Sequence, residues 1–449
     1  MGIQTMHKLN RKVAPPVRDA REFELELPPY VRHALSNGVE VYAIDLGKVD
    51  AMMVSWIFDA GNSYESGKGV ATQGNGIAAQ GNGIAAAANA LLRNGTSTRK
   101  AFDISEYFDY YGSYLNRACH HETAELTLHC LNQYTGELIP VVAELLTDSI
   151  YPEEELAIYK KNAQQRLQVS LKKSDFVAGR LIDGYLYGDN HPYGRASTAE
   201  DYQGLQRDAV VDFYRRHYQG GACRIIAAGK LPADLIPLLE KNFGSLPLRR
   251  PAEGLAVPQF PILPAAQRKF RISNDPDGVQ GSIRIARNFP NRHHPDFQRV
   301  QVLNNVFGGF FGSRLMANIR EDKGYTYGIY SYLVNNRQES AWMISTEAGK
   351  EVCEPAIEEV YKEMALLREE PIDEEELKMA RNFAIGTILG DLDGPFHVAS
   401  RWKSILLNGL DENYFREGIR IVKTITPEEL RELAVKWLDP AEFFELVVV

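Results

Sequence analysis

The side chains of this sequence that could do chemistry are its histidines, its cysteines and one arginine–tyrosine pair, and their spacing limits what that chemistry can be. Two histidines four residues apart on a helix share one face and can share a metal ion. The ten histidines are His7, His33, His120, His121, His129, His191, His217, His293, His294 and His397, and no two of them lie three or four residues apart. The densest cluster is Cys119-His-His-Glu122 with His129. On one continuous strand Cys119, His121 and His129 share a face, but His121 and His129 then lie roughly 26 Å apart at ~3.3 Å per residue. They cannot share an ion, and the stretch reads as a solvated strand or a helix-covered face. Arg320 and Tyr327 are set apart from the other arginines and tyrosines only by the motif described below, not by their types or spacing. A guanidinium and a phenol can both donate to a peptide carbonyl, orienting it and steadying developing charge. The plainer alternative makes Arg320 a cation at a helix C-terminus closed by Gly324, and Tyr327 one of several aromatics (Tyr325, Tyr327, Tyr330, Tyr332) packing a sheet. Gly308-Gly309 is no phosphate loop, because no G-K-[ST] follows it.

The elements that must position these residues mix strands and helices. Gly38 to Asp45 follows a turn-forming Ser-Asn and alternates as a strand; Glu125 to Leu131 and Cys223 to Ala228 read as further strands. Glu137 to Ile150 has helical spacing of apolar residues. Strands, then helices, then a strand predict an α+β fold in layers. The chain also repeats itself. Tyr151-Pro-Glu-Glu-Glu-Leu156 opens a long polar helix, and Ile372-Asp-Glu-Glu-Glu-Leu377 does the same 221 residues later. The acidic first turn of each suits a helix N-terminus. Leu205 to Tyr218 matches Ile425 to Leu438 at an offset of 220. Two independent pairs at nearly one offset predict a duplicated domain. Between the copies, Leu246 to Ala265 carries Pro247, Pro251, Pro258, Pro261 and Pro264 and reads as an extended linker. The expected division is therefore residues 1–245, a linker over 246–265, and residues 266–449.

One segment has a frame without its chemistry. Residues 83–96 read Gly-Ile-Ala-Ala-Ala-Ala-Asn-Ala-Leu-Leu-Arg-Asn-Gly-Thr. This resembles the zinc helix of the pitrilysin/insulinase peptidases, the inverzincins, in which H-x-x-E-H sits inside G-x-A-H-x-x-E-H-x-x-x-x-G-T. Aligned on both ends, the three chemical positions fall on Ala86, Asn89 and Ala90, which can neither bind zinc nor activate a water. The family's remaining ligand is a Glu on a later helix. The matching stretch here, Tyr159 to Ser174, has no carboxylate and offers Lys160, Lys161, Arg166, Lys172 and Lys173. The resemblance thus implies a family member with no catalytic residue, no metal and no cofactor. His191-Pro-Tyr-Gly-Arg195 resembles the family's structural loop after the long helix. A tandem heptad, Gln73–Ala79 repeated as Gln80–Ala86, leads into the former ligand helix and reads as an insertion tolerated where no metal must be held.

The second half retains more of the family pattern. Asn304-Asn-Val-Phe-Gly-Gly-Phe-Phe-Gly-Ser-Arg-Leu315 runs into Met316-Ala-Asn-Ile-Arg-Glu-Asp-Lys-Gly-Tyr-Thr-Tyr-Gly-Ile-Tyr330. This resembles the family's C-terminal motif, a glycine-rich turn before S-R-L and then R-E-x-x-G-x-x-Y. The resemblance implies that Arg320 and Tyr327 face the cavity and bind substrate. It covers nearly the whole chain, from about Glu24 to Leu446, and implies two homologous halves, each a mainly antiparallel sheet covered by helices, forming a clam-like shell around a cavity. Split members of the family pair a subunit carrying H-x-x-E-H with one that has lost it. The resemblance therefore implies a non-catalytic subunit of a zinc metallopeptidase, with an active zinc-binding homologue as heterodimer partner, or a homodimer, and a peptide as substrate. The alternative is a self-associating structural or peptide-binding protein of the same fold, comparable to the core subunits of respiratory complexes.

Composition bounds the rest. At 449 residues the chain exceeds one ordinary core, and 44% hydrophobic with 24% charged residues is a globular composition. A formal net charge of −9 argues against nucleic acid and anionic membranes as partners. No apolar run approaches the ~18 residues of a membrane span. Residues 1–12 lack the apolar core of a signal peptide, and Cys119, Cys130, Cys223 and Cys353 form no C-x-x-C. Buried reduced thiols and a cytoplasmic location are expected, with a leader removed by processing left open.

Overall fold

A computed structural model describes residues 24–65, 82–252 and 258–449. The first copy of the tandem heptad, Gln80 and Gly81 of the second, and part of the Pro-rich segment lie outside the described residues. The first part of the chain supplies β1 (Val31–Ala34), β2 (Glu40–Asp45), β3 (Ala51–Phe58), β4 (Tyr114–Cys119), β5 (Ala124–Leu131) and β6 (Cys223–Gly229), which form one sheet in the order β1-β2-β6-β3-β5-β4. Its helices are α1 (Ile84–Leu91), α2 (Ala101–Tyr110), α3 (Thr135–Asp148), α4 (Glu153–Ser170), α5 (Ser174–Tyr187), α6 (Ala199–Gly204), α7 (Arg207–Tyr214) and α8 (Leu235–Phe243). The second part supplies β7 (Lys269–Ile272), β8 (Gln280–Phe289), β9 (Thr326–Val334), β10 (Ser340–Gly349) and β11 (Phe444–Val448), ordered β7-β11-β8-β10-β9. With them come α9 (Phe297–Asn304), α10 (Cys353–Glu369), α11 (Glu374–Asp391), α12 (Pro395–Leu407), α13 (Glu412–Thr424) and α14 (Pro427–Trp437). The fold is α+β, two sheets each covered by helices.

The two sheets share one topology. Without β1, the first reads β2-β6-β3-β5-β4, and β7-β11-β8-β10-β9 follows the same path strand for strand. In each, the first and last strands pair in parallel, β2 with β6 and β7 with β11, while the other neighbours are antiparallel. The helices repeat too. α4 and α11 both span 18 residues and open on three glutamates, Glu153–Glu155 and Glu374–Glu376.

Strand alternation assigns each face a separate core. Met52, Val54, Trp56 and Phe58 of β3 point to one face, where α1, α3, α7 and α8 cover them. Ile57 points to the other, with Tyr42, Ile44, Ile226 and Ala228. That second face is covered by α12, from the far end of the chain, through Val398, Ala399, Trp402 and Ile405. The second sheet does the reverse. Ile283, Ile285, Trp342 and Ile344 face α9, α10, α11 and α14. Its other face (Ala286, Ala341, Met343, Phe444, Leu446, Val448) is covered by α5 through Ala178, Ile182, Leu186 and Tyr187. Each sheet therefore receives on its second face the helix that follows the other half's long helix. A fully buried aliphatic or aromatic side chain is worth about 1.5–3 kcal/mol. This exchange buries apolar side chains of each half against the other.

The sequence reading needs two corrections. Cys119 to His129 is not one strand: β4 ends at Cys119 and β5 starts at Ala124, with a reversal between, because His120 N–H bonds the carbonyl of Thr123 at 2.8 Å. The 159–174 stretch is not one helix either, since α4 ends at Ser170 and α5 starts at Ser174.

Candidate functional site

The degenerate zinc frame does form a helix. α1 starts after Gly83, whose φ of +100° is a conformation that favours glycine. Glu65 closes this helix start: its carboxylate accepts the amides of Gly83 (3.0 and 3.2 Å) and Ala85 (3.0 Å), and Arg195 Nη2 lies 2.7 Å away. Burial raises the Glu65 pKa, opposed first by Arg195 and then by the two amides. Nothing in the sequence marked Glu65, which stands 18 residues before the amide it caps.

Ala86, Asn89 and Ala90 present no donor set for zinc. Asn89 is turned into the protein, where its Nδ2 donates to the Glu125 carbonyl and the Tyr218 hydroxyl, both at 3.2 Å. Ala86 is half-buried and lines a cleft of about 280 Å³ with Asn62, Glu65, Cys119, His120 and His121. Cys119 does not offer a thiolate there: burial, and secondarily Glu65, push its thiol up to about 12. His121 is held against Asn62 Oδ1 at 3.3 Å, and burial lowers its pKa. His129 sits at the other end of the hairpin, stacked on Tyr114 with ring centres 4.8 Å apart. On α4, Lys160 donates to the Leu205 carbonyl and Gln164 to that of Ala199. Among the described residues no group of three or more His, Cys, Asp and Glu is placed to hold a metal ion. These residues do not fit the zinc centre that the frame implies.

His191 is built into the structure. It is buried, its Nδ1 accepts the Tyr193 amide at 3.1 Å and its Nε2 lies 3.3 Å from Gln338 Oε1. The same junction brings Arg337 N–H to Glu122 Oε1 at 3.2 Å, with Tyr193 hydroxyl donating to that carboxylate. A turn of the second half, between β9 and β10, is thereby fastened to the first.

The structure brings Arg320 and Tyr327 together. Asn304, at the end of α9, donates to the Ser331 carbonyl (3.0 Å) and accepts from Trp342 Nε1 (2.9 Å) and Ser331 Oγ (2.7 Å), locking α9 to β9 and β10. Beyond it the chain passes Gly308, where a Cβ would come within 2.7 Å of Ser331 Cβ and 2.8 Å of Leu315 Cδ1, so only glycine allows this approach. Arg314 then grips Glu376 at the start of α11 with two bonds of 2.7 and 2.8 Å. The helical turn 316–322 follows and ends at Gly324 (φ +67°), whose amide bonds the Arg320 carbonyl at 3.2 Å. Arg320 lies between two rings, 4.5 Å from the centre of Phe311 and 5.6 Å from that of Tyr327. Its Nη1 is 2.9 Å from Glu321 Oε1 but makes no aligned hydrogen bond, so that contact is electrostatic. Tyr327 is 92% exposed. The register shifts between Thr346 and Ala348 of β10, opposite Tyr327 and Gly328. Ile329, Ser331 and Leu333 share Tyr327's parity and are buried, so the bulge re-aims Tyr327 to solvent. It packs no sheet core.

Comparison with known proteins gives the same kinship. A family profile described as "Peptidase M16 inactive domain" matches residues 204–383. An uncharacterized zinc protease of Bacillus subtilis, YmxG, is 26% identical over 309 residues, covering 68% of this chain and 74% of that one. An uncharacterized zinc protease of Rickettsia felis is 23% identical over 403 residues, covering 89% and 90%. The crystal structure of a peptidase M16 inactive domain from Pseudomonas fluorescens shares the fold, with a TM-score of 0.81 at 21% identity over 93% of this chain and 98% of that one. In its duplicated sheets and in these relatives the chain is similar to M16 peptidases, and the resemblance of residues 83–96 to their zinc helix sets Ala86, Asn89 and Ala90 against the zinc motif.

Proposed function

We propose that this protein is a non-catalytic subunit of an M16-type zinc peptidase, and that it completes the peptide-binding cavity of an active partner carrying H-x-x-E-H. The observation that carries this reading is the Arg320 guanidinium held between Phe311 and Tyr327, with Tyr327 almost wholly in solvent. A phenol that buries nothing adds little to the fold, and a cation near a helix end is worth only ~0.3–1 kcal/mol. Both groups can donate to a peptide carbonyl. A chain without zinc donors on α1 has no scissile bond of its own to orient, so the pair serves a site completed by another subunit. The names of the relatives as zinc proteases describe those proteins and support the kind of partner. The test is affinity purification of the chain from its native cells with mass spectrometry of what accompanies it. A near-stoichiometric homologue bearing H-x-x-E-H is the expected result. Recovery of the chain only with copies of itself would favour the self-associating binding protein instead.

A further inference from the structure

A second cavity, remote in sequence from the zinc frame, lies in the second half between α9, α11, α12 and α13. It has a volume of about 320 Å³, or roughly ten water-sized volumes at ~30 Å³ each. Its apolar lining includes Val302, Ile405, Phe415, Ile419 and Val422. Arg292, Asp391, Arg401 and Tyr414 also line it, and the Arg401 guanidinium lies 5.8 Å from the centre of the Phe415 ring. The two arginines differ in their partners. Arg401 is ion-paired with Asp391. Arg292 donates from Nε to Asn335 Oδ1 (3.2 Å) and from Nη1 to Ser404 Oγ (2.7 Å), both neutral acceptors. Among the described residues no carboxylate pairs with it and its Nη2 has no bonded partner. Burial lowers its pKa, with Tyr414 opposing and Arg401 adding to the shift.

Arg292 is partly exposed and lines the cavity with no carboxylate paired to it among the described residues, whereas charges drawn towards a protein interior are normally paired. Two bonds to neutral side chains are within the reach of a glutamine, so holding Asn335 and Ser404 does not account for an arginine here. A pocket with apolar walls and a small number of placed polar groups is the usual form of a small-molecule site. We propose that this cavity binds an amphipathic monocarboxylate of about ten non-hydrogen atoms, its carboxylate on Arg292 and its apolar tail against Ile405, Phe415 and Ile419. This inference is independent of the peptidase-subunit reading.

The experiment is isothermal titration of the full-length protein with octanoate, octan-1-ol and butyrate. Octanoate is expected to bind one-to-one and at least tenfold more tightly than the other two, which lack either the charge or the tail. Arg292→Met should reduce octanoate to the affinity of octan-1-ol, and Arg292→Lys should keep a preference for the acid. Ala384→Phe, which fills the cavity from α11, should abolish binding of both eight-carbon probes, with folding of each variant checked by near-UV circular dichroism. No saturable octanoate binding to the wild type would overturn the proposal, as would equal affinity for acid and alcohol. Should Arg292→Met fail to fold, unchanged octanoate binding by folded Ala384→Phe overturns it in the same way.

Discussion

Asn89 stands where the resemblance sets the glutamate of H-x-x-E-H. Where the family's frame carries the glutamate that activates water, Asn89 bonds a backbone carbonyl of β5 and the Tyr218 hydroxyl, which makes it part of the first half's core. A half-buried carboxyl sets a pH dependence. Asp183 on α5 lies against the second sheet, and burial raises its carboxyl from 3.8 to about 7, with Arg284 partly opposing. The folded state therefore holds a proton that the unfolded state has released. Its contribution to stability is full below about pH 4, is lost as pH rises to about 7, and stays lost above. His217 works in the opposite sense, because burial lowers its pKa from 6.5 to about 4 and its contribution is lost as pH falls through that window. A difference measurement isolates the aspartate. The melting temperature of the wild type relative to Asp183→Asn should fall steadily between pH 4 and pH 7. A difference that stays constant across that range would show that Asp183 ionises freely in the folded protein.

At the scale of elements, the path from α9 to β9 is what presents Arg320, and Gly308 is its tightest point. Gly308→Ala would drive a methyl into Ser331 and Leu315. Overpacking of this kind typically costs about 1–3 kcal/mol, read as a lower urea midpoint at unchanged slope. An unchanged midpoint would mean that the 305–309 turn is not held against β9. Much of this level was legible in the sequence. The glutamate-led starts of α4 and α11, the alternation of β2, the strand readings of β5 and β6, and the Gly324 stop all come from local chemistry. What was not legible was tertiary. The reversal between β4 and β5 falls on His120 to Thr123, which contains neither Gly nor Pro, so a continuous strand was the natural reading. Glu65 caps a helix from a distance, and Arg292 looks like any other arginine until its neighbours are known. Tyr327 was ambiguous for a related reason: only the bulge decides whether an aromatic of that parity faces the core or solvent.

For the whole molecule, the repeat predicted from two sequence matches reappears as one strand order used twice. The exchange of α5 and α12 was invisible, because it concerns which sheet a helix covers rather than whether the helix forms. It bears on the division at 246–265 that we propose from the sequence. Residues 24–245 alone leave the Tyr42, Ile44 and Ile226 face without α12, and residues 266–449 alone leave the Phe444, Leu446 and Val448 face without α5. Each half expressed alone should bind the dye ANS strongly and lack a cooperative thermal transition, and co-expression should restore a compact complex. Halves that fold independently and ignore one another would show that the exchanged helices contribute little.

The central claim, that Arg320 and Tyr327 serve an active site completed by another subunit, is tested most directly by the turnover number of the reconstituted pair. The chain, as wild type, Arg320→Ala or Tyr327→Phe, is mixed with its H-x-x-E-H partner, and peptide cleavage is followed beside size-exclusion chromatography of the complex. Removing one preorganised donor of this type usually lowers kcat by about 10²–10³. The account predicts a loss of that order in each variant with assembly intact. Wild-type turnover in both variants, with the complex still formed, would contradict it.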